Sequence, residues 1–142
     1  MITRDEVFDE IYQAIVAKLA IVGNNPYNAT VLSYIPSYKF DEFPVIVLNQ
    51  VDYRLDREAL NKNEKKHYFS IEAQIFSIDK PTFNRRTIAN SLSNLVENVI
   101  QNDFGLGLNM SNVIPNLDES VYRVILRFNG IIDDDSKIIY RE

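Results

Sequence analysis

Apolar positions in this chain recur with two different periods, and the changes between them mark its elements. The most regular stretch is "NLDESVYRVILRFNGII", residues 116–132. A pleated strand turns successive side chains to opposite faces. On that period Tyr122, Val124, Leu126 and Phe128 share one face, and Arg123, Ile125, Arg127 and Asn129 share the other. The first face is suited to a core. The second sets arginines on either side of an isoleucine, and it meets either water or a partner.

"HYFSIEAQIFSID" repeats the pattern, with Phe69, Ile71, Ala73 and Ile75 opposite Ser70, Glu72, Gln74 and Phe76. "FPVIVLNQVDYRLD" opens at Pro44, the strand position where a missing N–H is tolerated, and continues as a β-branched run. "YNATVLSYIPSYKFDEF" is interrupted by Pro36 and polar residues, so it supports only a short edge strand around Val31 to Ile35. "SKIIYRE" supplies one last short strand.

Two segments instead carry helical spacing. Val7, Ile11, Ile15 and Leu19 recur at every fourth position, with Phe8 and Tyr12 beside them. Thr3 and Glu6 have the spacing of a capping box, Asp5, Glu6, Asp9 and Glu10 suit the positive end of the helix dipole, and Gly23 ends the helix. The second helix is predicted over about Asn84 to Asn102, with Ile88, Leu92, Leu95, Val96 and Val99 as its stripe and Gly105 as its stop. "LGLNMSNVIP" then reads as a connector into the closing strand.

The predicted fold class is therefore α+β: an antiparallel β-sheet with two amphipathic α-helices packed on one face. A chain of 142 residues with neither repeat nor linker makes one domain, residues 1–142. "REALNKNEKK", residues 57–66, is an apolar-poor charged connector between two strands, an extended hairpin or a loop.

Composition narrows the chemistry. With 46% hydrophobic and 25% charged residues the chain is ordinary globular material. A net charge of -5 argues against general nucleic-acid binding, which needs a basic footprint. The absence of cysteine removes disulfides, thiolate catalysis and cysteine zinc sites. The acidic start "MITRDEVFDEI" is unlike a signal peptide, and no apolar run approaches the roughly 20 residues that span a bilayer. These features predict a soluble, intracellularly made domain.

His67 is the single histidine, at a strand end beside the charged connector, and no second one exists for a histidine metal cluster. "DDD" at 133–135 has the carboxylates for a hard cation, but not the EF-hand spacing, and reads as a solvated turn. "GLG" at 105–107 follows a helix instead of opening one, which is the wrong polarity for a phosphate cradle. Glu72 and Asp79 are the carboxylates on which a weakly supported enzyme reading rests. No catalytic residue, cofactor or metal is predicted.

Surface features remain. Tyr27, Tyr34, Tyr38, Phe40 and Phe43 crowd an irregular segment, where they pack over the core's open edge or serve an interface. Arg85 and Arg86 stand in the first turn of the second helix, against its dipole, so an acidic neighbour, for example on another subunit, is one expectation and an indifferent solvated pair the other. Arg123 and Arg127 either pair with Glu72 across neighbouring strands or rim an apolar surface made by Ile125 and Phe76.

The order of these elements resembles the tail terminator, or tail-completion, proteins of long-tailed bacteriophages. It is carried by the N-terminal amphipathic helix, "VLSYIP", "FPVIVLNQVDYRLD", the charged connector, "HYFSIEAQIFS", the long second helix and "PNLDESVYRVILRFNGIID". The resemblance implies a structural virion protein of the tail and neck, made in the host cytoplasm. It implies a homo-oligomeric ring, usually a hexamer, that caps the tail tube, stops its polymerisation and joins the head. Its partners would be itself, the tail tube protein and a head-completion or neck protein. DNA would pass through without sequence-specific binding, and no membrane is involved. Under this reading the interface residues are Tyr34, Tyr38, Phe40, Arg57, Lys62, Lys65, Lys66, Phe76, Arg85, Arg86, Arg123, Ile125 and Arg127. A head-closure or neck connector subunit, and a small non-enzymatic adaptor module, are the alternatives.

Overall fold

A computed structural model describes residues 4–33, 43–55, 66–114, 120–133 and 139–140. Helix α1 spans Arg4–Leu19, followed by strands β1 (Thr30–Leu32), β2 (Val45–Leu55) and β3 (Lys66–Ser77). Helix α2 (Arg85–Glu97) runs on into a π-helical turn, Asn98–Asp103. Strands β4 (Gly107–Ile114), β5 (Tyr122–Asp133) and β6 (Ile139–Tyr140) complete the chain.

Among the described residues the strands form one six-stranded sheet of order β1-β2-β3-β5-β4, with β6 also paired to β5. The expected α+β arrangement holds, with one difference. The sheet is mixed, because β1 runs parallel to β2, Thr30 opposite Val45. A parallel neighbour needs a connection of about a dozen residues. Positions 33–44 are long enough to return the chain to the starting end.

The periodicities are honoured in the packing. Val7, Ile11, Ile15 and Leu19 of α1 join Ile88, Leu92 and Val96 of α2 over Ile46, Leu48, Phe69, Ile71, Ala73, Ile75, Val124, Leu126 and Phe128. Both helices therefore lie on one face of the sheet. Fully burying side chains of this size contributes roughly 1.5–3 kcal/mol each. α1 ends at Leu19, four residues before the expected glycine stop. Gly23 (φ +88°) instead takes the left-handed conformation that suits glycine in the turn that follows, and the Asn24 side-chain amide donates to the Lys18 carbonyl at 3.0 Å.

"GLNMSNVI" is the element that departs from expectation: it is strand β4, not a connector. Its apolar residues do not alternate cleanly. A bulge between Leu108 and Met110 reverses the period, and most of the strand is exposed, so no buried face imprinted a pattern on it.

Candidate functional site

The sheet's second face, away from the helices, gathers most of the predicted site residues that are described. The register sets Phe76 opposite Arg123, Gln74 opposite Ile125, Glu72 opposite Arg127 and Ser70 opposite Asn129. Because register partners share a face, these residues form successive rungs across β3 and β5.

The polar rungs are joined end to end. Arg123 donates to Gln74 Oε1 from Nη2 at 2.6 Å and from Nε at 3.1 Å. Gln74 Nε2 donates to Glu72 Oε1 at 2.7 Å, and Arg127 Nη2 donates to Glu72 Oε2 at 2.7 Å. Farther along, Ser70 Oγ donates to Asn129 Oδ1 at 2.8 Å. The Glu72 side chain is only 12% exposed against 37% for Arg127, so the ladder lies partly under its own arginines. Arg127 Nε is buried and finds no partner among the described residues, which is unusual for an ionised group.

One expected pairing is thus present, Arg127 with Glu72. Arg123 instead meets Gln74, one rung nearer than the carboxylate. The arginines are occupied within the chain.

Phe76 also differs from its expected place on an exposed apolar surface. It is 3% exposed in a second cluster with Phe43, Val45, Val47 and Val121. Phe43 stacks on it with ring centroids 5.9 Å apart, and the Arg123 guanidinium lies 5.3 Å from its centroid on the aromatic face that attracts cations. Ile125 stays half-buried between the arginines.

Glu72→Leu removes the acceptor for both Arg127 and Gln74 while keeping similar bulk. Leaving those donors unmet is expected to destabilise the fold by about 1–3 kcal/mol in urea unfolding, and Glu72→Gln, which keeps one acceptor, by less. Equal stability of Glu72→Leu and the parent would show that the ladder contributes nothing.

The connection into α2 accounts for Arg85. Its backbone N–H donates to Asp79 Oδ1 at 2.8 Å, its guanidinium lies 3.8 Å from Asp79 Oδ2, and its carbonyl accepts from Ser77 Oγ at 2.7 Å. Asn84 caps the helix by accepting from Thr87 N–H at 2.8 Å. The acidic neighbour expected for the first turn is therefore on the same chain. Arg86 stays exposed.

Of the crowded aromatics, Tyr27 serves the chain's own packing. Its ring meets Phe83 edge-on at 4.8 Å, and its hydroxyl donates to Ser91 Oγ at 3.0 Å. Lys66 belongs to β3, opposite Asp133 in the register, and is not part of the connector. Tyr34, Tyr38, Phe40, Arg57, Lys62 and Lys65 lie outside the described residues.

The carboxylates of the enzyme reading do not meet. Glu72 is committed to the ladder and Asp79 to the start of α2. Five strand steps separate Glu72 from Ser77, ~17 Å along β3, and Asp79 lies beyond that end. Among the described residues no group of three or more His, Asp or Glu comes together, and no helix is long and apolar enough to cross a membrane.

Sequence reasoning missed two features of this surface: Gln74 as the bridge between arginine and carboxylate, and β4 as a strand. The first was signalled by its position on the polar face. The second had no comparable signal. No protein-family model matches the chain, and neither does any curated protein.

Proposed function

We propose that this protein is a structural subunit of a phage-type tail, a tail terminator that assembles as a ring on the end of the tail tube and forms the joining surface to the head. The observation that carries the reading is the order and layering of its elements. A helix, an edge strand, a long β2–β3 pair, a second helix and the closing strand β5 build two layers and follow the order on which the resemblance rests, with β4 and β6 in addition.

Three further features support it. The net charge of -5 suits a channel through which DNA slides, since a basic lumen would hold phosphates. The Arg123–Gln74–Glu72–Arg127 ladder ties β3 to β5 across the open face, which suits a subunit stacked between partners. A ring joins two unlike surfaces of each subunit. One candidate is the apolar groove of about 400 Å³ beside Val16, Leu19, Ala20 and Val31, near which Ile21 and Val22 are 53% and 99% exposed.

The test is mass in solution together with negative-stain imaging, with and without purified tail tubes. Rings, or tubes of arrested length capped by the protein, are expected. A strict monomer that ignores tail tubes would sink the reading and leave the adaptor alternative. Capping of heads without affinity for tubes would move it to the neck connector.

A further inference from the structure

The sheet has two edges, and they are finished differently. At β1 the Thr30 N–H donates inward to the Pro44 carbonyl at 3.3 Å, so Val31, the next residue, directs its polar groups outward. The Val31 carbonyl is taken by the Tyr12 hydroxyl of α1 at 2.7 Å. That edge is short and partly closed from within the chain.

β4 is eight residues long, and among the described residues it pairs with β5 alone. Among the described residues no strand pairs with its outward N–H and C=O groups. Edge strands usually carry charges or proline that block further pairing. "GLNMSNVI" has neither, in a chain of which 25% of residues are charged. The bulge bends only its start, and Met110–Ile114 run in regular register with Arg127–Arg123. The helices stop short of this edge: Val124 of β5 is 5% exposed, but its register partner Val113 is 58% exposed.

We propose that β4 is a docking edge for β4 of a second copy, the strands pairing antiparallel about a twofold axis at Asn112. Met110, Asn112 and Ile114 share the open face with Arg127, Ile125 and Arg123, whereas Ser111 and Val113 share the helix face with Leu126 and Val124. A pairing that keeps both faces continuous must match residues of like face. Centred on Asn112 it uses the whole regular run. Met110 then meets Ile114 of the second copy, Ser111 meets Val113, and the Asn112 side chains meet each other. No charged side chain lies in this seam, so chains that each carry -5 can approach without like charges opposed across it. The pairing is isologous and closes on itself, so it is distinct from the ring contact proposed above and does not rest on it.

The chain has no cysteine, which makes single-cysteine cross-linking clean. Directly opposed residues of antiparallel strands lie about 4.5–5.5 Å apart between Cα atoms, within the range a disulfide spans. Asn112→Cys is expected to give a covalent homodimer on mild oxidation, and Val51→Cys, an exposed position on β2, is not. Sedimentation equilibrium of the unmodified chain should approach twice 16.5 kDa. Asn112→Lys, which opposes like charges at the axis of an exposed position, should return the mass to 16.5 kDa with an unchanged circular dichroism spectrum. A monomer at all concentrations, equal cross-linking through Val51→Cys, or cross-linking of Asn112→Cys only to a tail protein overturns the proposal. Rings that lack the Asn112 cross-link overturn this pairing and leave the ring reading standing. Asn112-linked dimers that never cap tubes uphold the pairing and count against the ring.

Discussion

Leu92→Asp is expected to leave the chain unfolded. Leu92 lies on the buried side of α2, 1% exposed, in the core cluster that both helices share with the sheet. Substitution removes a packed side chain, about 2–5 kcal/mol, and buries an ionised carboxylate without a partner, about 3–5 kcal/mol more. Domains of this kind have roughly 5–15 kcal/mol in total, so the sum approaches or exceeds what holds the fold. Circular dichroism and thermal melting would show the loss directly. Asn94→Asp, on the exposed side of the same helix, should change stability by no more than about 0.5 kcal/mol. A soluble Leu92→Asp variant with a cooperative melt would mean that the helix presents a different side to the sheet.

The second large effect concerns assembly and not folding. On the tail-terminator reading proposed above, replacing residues 57–65 with Asn-Gly is expected to keep the fold and abolish tail-tube capping. Leu55 is opposite His67, so in the variant the Asn-Gly joins the two strands one residue beyond their last described pair. Asn-Gly then closes the hairpin with the two-residue turn that antiparallel strands favour. Lys66 is kept because it is already part of β3, opposite Asp133. The replaced segment contains Arg57, Lys62 and Lys65, three of the cations assigned to partner contacts. An unchanged melting temperature with lost capping is the expected result. Normal capping would remove the connector from the interface, and an unfolded product would mean that it contributes to the core.

How much of this was legible in the residues depends on how each element is buried. α1, α2, β3 and β5 each have one face against the core and one away from it. The apolar period therefore records the element: Ile11, Leu92, Ile71 and Leu126 are all buried as their spacing predicts. Arg127 opposite Glu72 was also readable, because strand faces follow from the period and neighbouring strands of opposite charge pair naturally. β4 was not readable. A strand exposed on both faces and broken by a bulge is under no pressure to alternate.

By itself the sequence determined the α+β class, the side of the sheet that receives the helices, and the residues that line the opposite face. Each of these follows from local periodicity, which burial imposes residue by residue. Only the tertiary structure decided that β1 runs parallel to β2, that Phe43 and Arg123 cover Phe76, that Gln74 stands between Arg123 and Glu72, and that among the described residues the uncharged β4 ends the sheet. Those outcomes depend on which segments become neighbours after the chain turns back on itself, and no local period carries that information.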